Sequence, residues 1–345
     1  MKRIAFILPS LKNVGPNKVA LSIINNLLIE GIIIKVFYFK NEVGLNFPCE
    51  TEKLTWRNWK EIYTFDVLHS HMLRPDILNS LLPFYKGIKI STIHNMVEED
   101  LYYSHGRLIS TLVSKIWISL WHRFDHLAVL TPHAKNYYLA KGLPDFKINI
   151  IPNGIDKNKS QYISCQDKHI INKFRGSQKL LGTVCLANER KGLEQVIKGL
   201  TLLTDYCFIL IGDGPVRDEL YGLAHKLNVE NRFLILGFRD NATSFLPYFD
   251  CFVLPSRSEG LSLALIEAIS AKIPAVCSDI DVLTTAFNND EVSFFKLDDI
   301  DSFKKAVLLS KKKNPDKAYQ RYLSDYNAIS MAQKYFKLYM KAKDI

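Results

Sequence analysis

RIAFILPSLKNVGPNKVALSIINNLLIEG, residues 3–31, joins an apolar run of strand length to a segment of helical period through a short loop that holds one glycine. Arg3 to Pro9 predicts a strand buried on both faces, because its apolar residues follow one another without polar alternation. Asn17 to Gly31 places apolar residues at 3.6 spacing and predicts a helix closed by Gly31 as its C-cap. A strand that feeds a helix in this way opens a strand–helix–strand unit, and the pattern repeats. IIIKVFYF, DVLHSH, IKISTIHN, HLAVLT and NIIPNGID follow as strands separated by helical stretches. The series restarts at Lys179 with KLLGTVCLA, YCFILIGDG, RFLILGF, DCFVLPS and PAVCSD. Between the two series the polar stretch KNKSQYISCQDKH, residues 157–169, predicts a linker. The expected class is therefore α/β, with two Rossmann-like, doubly wound parallel sheets facing a central cleft. Ligands of such sheets bind beyond the carboxyl ends of the strands.

Bulk properties agree with two domains. A chain of 345 residues exceeds what one core usually supports, and 48% hydrophobic residues can fill two. The net charge of +10 is uneven: residues 1–160 hold 20 Lys and Arg against 13 Asp and Glu, a surplus of 7. That surplus serves solubility or draws an anionic ligand or membrane surface. Nucleic acid is not an expected partner, since no basic helix, zinc-finger spacing or aromatic RNA-binding motif is present. The six cysteines form no CxxC or Cys/His cluster, which predicts buried thiols in a reducing cytoplasm and no metal site. The amino terminus lacks a signal-peptide core, and no apolar run reaches the about 18 residues that a membrane span requires. The expected location is cytoplasmic, either free or peripheral at the inner face of the membrane.

Several strand-end loops suit an anionic, hydroxylated ligand. GDGP, Gly212 to Pro215, allows close backbone approach, and Arg190 and Lys191 bring two cations to the start of a helix. In SEGLS, Gly260 and the amides of Leu261 and Ser262 lie at another predicted helix start. Two segments stay open in their reading. SHGRLISTLVSKIWISLWHRF, residues 104–124, is either an amphipathic interfacial helix or a buried helix with snorkelling basic residues. KKKNPDK, residues 311–317, is either a solvated helix end or a membrane contact.

PSRSEGLSLALIEAISAKIPAVCSD, Pro255 to Asp279, resembles the signature PSxxEGxxLxxxEAxAxxxPVxxSD of the family 4 glycosyltransferases of GT-B architecture. NERKGLEQVIKGL, GDGPVRDEL and LGFRDNATSFLPYFDCFVLPS resemble the segments that precede it, while IIPNGID and STIHN resemble parts of the family's first domain. The resemblance implies a retaining transferase that moves a sugar from a nucleoside-diphosphate sugar, UDP-sugars first, to a glycan or lipid-linked acceptor. The setting it implies is cell-surface polysaccharide or lipopolysaccharide synthesis, with no metal and no other cofactor. It also implies domains at 1–160 and 161–325, with a terminal crossover helix at about 326–345 packing on the first.

By the same resemblance Glu259 faces the donor sugar, Glu267 holds the ribose hydroxyls, and Arg190 and Lys191 neutralise the leaving diphosphate. His94 reaches the anomeric region, while Gly15, Gly214, Arg239, Gly260, Leu261 and Ser262 line the donor; His69 and His71 in HSHMLRPD fall on the acceptor side. Three departures accompany the match. Gly15 stands alone where relatives carry two glycines, Leu186 occupies the place of a basic residue, and IDVLTTAF after Asp279 replaces a Gly-Gly turn. The lone glycine and the IDVLTTAF turn keep open a catalytically silent nucleotide-sugar-binding subunit, and among enzymes a GT-B epimerase or phosphorylase is the alternative.

Overall fold

The computed structural model of the protein describes residues 2–28, 31–156 and 162–341. Strands β1 (Lys2–Leu11), β2 (Ile32–Val43), β3 (Glu50–Lys53), β4 (Val67–His71), β5 (Ile88–Ile93), β6 (His126–Val129) and β7 (Ile148–Ile150) form a parallel sheet in the order β3-β2-β1-β4-β5-β6-β7. Its connections carry α1 (Gly15–Asn25), α2 (Leu73–Leu81), α3 (Val97–Trp121) and α4 (Pro132–Ala140). The second sheet is built from β8 (Lys179–Val184), β9 (Tyr206–Ile211), β10 (Phe233–Gly237), β11 (Cys251–Leu254), β12 (Ala275–Ser278) and β13 (Ser293–Phe295), in the order β10-β9-β8-β11-β12-β13. Around it run α5 (Cys165–Arg175), α6 (Glu194–Leu200), α7 (Arg217–Lys226), α8 (Leu263–Ser270), α9 (Asp281–Ala286), α10 (Ile300–Ser310) and α11 (Pro315–Asp325). A last helix, α12, spans Ala328–Tyr339. Backbone contacts group Met1–Asp156 with Asp325–Ile345 as one unit and Lys157–Ser324 as the other.

Both sheets are α/β, parallel and Rossmann-like, as the alternation of apolar runs and helical periods predicts. Their strand order reverses at β1/β4 in the first unit and at β8/β11 in the second. Loops on either side of such a reversal diverge and leave room for a ligand. The central strands are buried: Ile4 to Leu8 and Phe208 to Leu210 are 0% exposed. That burial on both faces is why they read as unbroken apolar runs.

Several expectations change. The first helix ends at Asn25, where the Asn26 side chain donates to Ser22 O (2.9 Å) and to Asp156 Oδ1 (3.1 Å), so Gly31 is not its C-cap. Strand β3 has the sequence ETEK, too polar to read as a strand. It pairs along the edge of β2 because Lys35, buried there, is ringed by the carboxylates of Glu50, Glu52 and Glu61 at 2.7–2.8 Å. Of the expected linker, residues 157–161 lie outside the described residues. Its second half is helical, since the Ser164 hydroxyl caps α5 by accepting from Asp167 N (3.0 Å). Cys165, at the start of that helix, is exposed rather than buried. The basic run after α10 makes contacts within its own unit: Lys317 pairs with Asp290 at 2.8 Å, and Lys313 donates to Val292 O at 2.6 Å. No helix among the described residues is long and apolar enough to cross a membrane.

Candidate active site

In the second unit the loops after β8 and β11, on the two sides of the strand-order reversal, are locked together. Glu189–Lys191 forms a 3₁₀ turn closed by Gly192 in the left-handed conformation (φ 59°). A Cβ on Gly192 would stand 2.2 Å from Pro255 O, so only glycine permits this approach. Gln195 Nε2 donates to both Gly192 O (3.2 Å) and Pro255 O (2.9 Å). The Arg257 N–H donates to Arg190 O (2.8 Å), and Arg190 Nη1 returns a bond to Ser258 O (3.0 Å).

That lock brings Glu259 against two cations. Its Oε1 accepts from Lys191 Nζ (2.5 Å) and from Ser256 Oγ (2.6 Å), and its Oε2 lies 3.7 Å from Arg190 Nη1. The residue is 5% exposed. Burial alone would raise its pKa, but Lys191 and Arg190 outweigh it and hold the carboxyl below its ordinary range. An ionised carboxylate and two cations thus share one buried point at the strand reversal. Arg257 supports the arrangement from behind, donating to Glu194 Oε1 (2.5 Å) and to both oxygens of Asp298 (2.6 and 2.7 Å).

Gly260, Leu261 and Ser262 are buried and lead into α8, which Ser262 caps by accepting from Leu265 N (3.4 Å). Glu267 is half-buried in that helix. Gly214 serves loop packing, since a Cβ there would stand 2.1 Å from Ala187 O. The Arg239 guanidinium is engaged within the unit, with Nη2 2.8 Å from Asp167 Oδ1, which ties the loop after β10 to α5. Leu186 is 59% exposed, and the segment IDVLTTAF contains the short helix α9.

The remaining candidates belong to the first unit. Gly15 begins α1, whose amino end has no side-chain cap. His94 follows β5 and is half-buried, with its Nε2 2.9 Å from Nδ1 of the buried His71. His69 is 0% exposed, and both its ring nitrogens are used internally: Nδ1 to the Tyr339 hydroxyl and Nε2 to Thr92 Oγ1, each 2.7 Å. Its hydrogen bonds are thus interior ones, and His71, expected beside it on the acceptor side, is likewise 0% exposed. Burial pushes the His69 and His94 pKa values down to about 3 and lowers that of His71 as well, so all three rings are neutral at pH 7.

Sequence reasoning passed over Ser256, Gln195 and Arg257, although each stands inside or beside a quoted motif. It also missed Asp76. This 0% exposed carboxylate accepts from Ser70 Oγ (2.6 Å), Ser91 Oγ (2.9 Å) and the indole N–H groups of Trp117 and Trp121 (both 2.8 Å). The indoles lie 41 and 45 residues away, and no spacing rule signals such a contact.

Known proteins match this description along most of the chain. The family profile described as "Glycosyl transferases group 1" covers residues 166–326, and that described as "Glycosyltransferase Family 4" covers 27–159. The chain is 34% identical over 301 residues to the Escherichia coli O-antigen biosynthesis glycosyltransferase WclY, spanning 85% of this chain and 84% of that one. It is 29% identical over 267 residues to the E. coli UDP-Gal:alpha-D-GlcNAc-diphosphoundecaprenol alpha-1,3-galactosyltransferase, spanning 71% of this chain and 66% of that one. In structure it resembles Anabaena HepE, solved with UDP and glucose, with a TM-score of 0.83 at 15% identity over 99% of this chain and 100% of the other. The chain belongs to the group 1 glycosyltransferases, with the two Rossmann-like domains of the GT-B fold.

Proposed function

We propose that this glycosyltransferase takes its sugar from a UDP-sugar and delivers it, with retention of anomeric configuration, to a lipid-linked glycan in the assembly of an O-antigen-type polysaccharide. One observation carries the chemistry: Glu259 ionised and buried against Lys191 and Arg190 at the strand reversal of the second unit. The donor and acceptor classes draw support from two relatives, one named for O-antigen synthesis and one for UDP-Gal and a diphosphoundecaprenol-linked acceptor.

In this reading Arg190 and Lys191 neutralise the departing diphosphate, which is the largest electrostatic demand of the step. Glu259 accepts hydrogen bonds from the sugar hydroxyls and steadies positive charge at the anomeric carbon. Ser256 and Lys191 already hold its Oε1, so it is restrained from attacking as a nucleophile. The bond from the anomeric carbon to the phosphate oxygen breaks while a bond to the acceptor oxygen forms on the same face. The acceptor's proton passes to the leaving phosphate oxygen. The two cations meet the charge demand, so the step is proposed to need no metal. Glu267 is assigned to the ribose diol, for which a carboxylate offers two acceptor oxygens.

The test is a thermal-shift screen of the purified chain against UDP-, GDP-, ADP- and CMP-sugars, followed by NMR of the product formed from an α-linked donor. Stabilisation by UDP-sugars and an α product are expected. A β product sinks retention, a trapped glycosyl–Glu259 adduct sinks the single step, and stabilisation by GDP-sugars alone sinks the donor. Binding of a nucleotide sugar with neither hydrolysis nor transfer of it favours the silent-subunit reading.

A further inference from the structure

Helix α3 buries Ser110 and Ser114 and exposes Leu108 and Leu112. Past Gly106, where φ 77° and ψ 174° break the helix, Ser110, Ser114, Trp117 and Trp121 face inward and are at most 8% exposed. The opposite face carries Leu108, Leu112 and Ile116 at four-residue spacing, with Ile109 beside them; in chain order 108, 109, 112 and 116 are 89, 51, 63 and 51% exposed. A helix on a water-facing surface shows the reverse pattern.

The inverted orientation is held in place. Both indole N–H groups donate to Oδ2 of the buried Asp76. The inward serines are satisfied locally, Ser110 Oγ by Arg107 O (2.9 Å) and Ser114 Oγ by Thr111 O (3.2 Å). Rolling the helix to hide its leucines would strip Asp76 of two donors and push two serines into water, so the apolar stripe is a fixed feature of the surface.

The surroundings of the stripe select its partner. Residues 104–124 contain no Asp or Glu, whereas His105, Arg107, Lys115, His122 and Arg123 are all exposed. A second copy of the chain packed on this face would set cations against cations with no carboxylate of the segment to pair them. A surface with an apolar interior and anionic headgroups matches both features.

We propose that the outward face of α3 docks the protein on an anionic lipid bilayer. Leu108, Ile109, Leu112 and Ile116 enter the acyl boundary to a depth of roughly 5–10 Å. Arg107, Lys115 and Arg123 stay at the phosphates. This docking is independent of the sugar-transfer reading, since it needs neither donor nor glycan.

The test is sedimentation of the full chain with vesicles of phosphatidylglycerol and phosphatidylcholine, and with phosphatidylcholine alone. Binding to the anionic vesicles is expected, falling as salt rises from about 0.05 to about 0.5 M. Leu112→Glu with Ile116→Glu should weaken that binding about tenfold or more. These side chains are exposed, so the melting midpoint should hold, and Leu112→Ile should bind as the parent does. Lys115→Glu with Arg123→Glu should remove the preference for anionic vesicles. Any of three outcomes overturns the proposal: no binding to either vesicle, binding that is indifferent to the Leu112/Ile116 pair, or a lipid-free dimer that this pair converts to monomer in sedimentation velocity.

Discussion

The two units share a strand order but carry opposite chemistry where that order matters. In the second unit, the loops after the first and fourth strands hold an ionised carboxylate against two cations. In the first unit, the ends of the fourth and fifth strands hold three neutral histidine rings within a network that includes Thr92 and two tyrosines. The contrast shows how burial is managed in each. Glu259 stays charged because the loop after the first strand brings Lys191 and Arg190 against it, while the histidines lose their charge because only hydroxyls and other rings surround them. Charge survives burial where opposite charges pair with it, and it is given up where only neutral groups are at hand.

Acidification separates the units most sharply. His69 and His71 are 0% exposed, and their folded pKa values lie far below the ordinary ~6.5. Their contribution to stability is full above that value and is lost as pH falls toward the folded values, because the unfolded chain takes up protons the folded one refuses. At pH 5 this amounts to roughly 2 kcal/mol for His69, and His71 adds to the loss in the same direction. Asp76, held up at about 6 by burial, runs the other way. Its contribution is full below the ordinary ~3.9 and lost as pH rises through 6, so it offsets part of the loss. Glu259, with a lowered pKa, keeps its contribution until pH falls below the ordinary ~4.3. Hydrogen exchange at pH 7 and pH 5 should therefore show the amides of β4 and β5 losing protection while those of β8 and β11 hold. Equal losses in both would break the comparison.

Removing the charged partner of the second unit is the next largest change. Glu259→Ala should lower turnover by about 10²-fold, since it deletes support for charge in the transition state. It should leave nucleotide affinity within about threefold, because Arg190 and Lys191 remain for the diphosphate. Turnover and calorimetric titration with nucleotide decide it, and turnover close to that of the parent would mean that the ion cluster is only structural. In the first unit, Tyr339→Phe strips one ring nitrogen of His69 of its partner and should cost about 1 kcal/mol. The loss should appear in exchange from β4 and leave β8 and β11 unmoved. A loss spread evenly over both units would refute that confinement.

What the sequence made legible follows the range of the forces involved. Apolar runs betrayed most of the strands because burial on both faces acts on each residue separately. ETEK in β3 stayed hidden because it pairs through a lysine fifteen or more residues upstream. Arg190, Lys191 and Glu259 could be named because a family motif links them across 68 residues. The interior role of His69 could not, since its partner Tyr339 is 270 positions away. Helical period likewise announced a helix at residues 104–124 without saying that Ser110 and Ser114 face in.

The last helix also bears on how the protein is made. Tyr335 and Tyr339 of α12 are 0% exposed and belong to the interior of the first unit, where they bond to Thr92 and His69. The unit that begins to leave the ribosome first is thus the one that finishes last, whereas Lys157–Ser324 is continuous and can close while α12 is still being synthesised. Through that interval His69 and Thr92 of the nascent first sheet wait for the tyrosine hydroxyls that complete their hydrogen bonds.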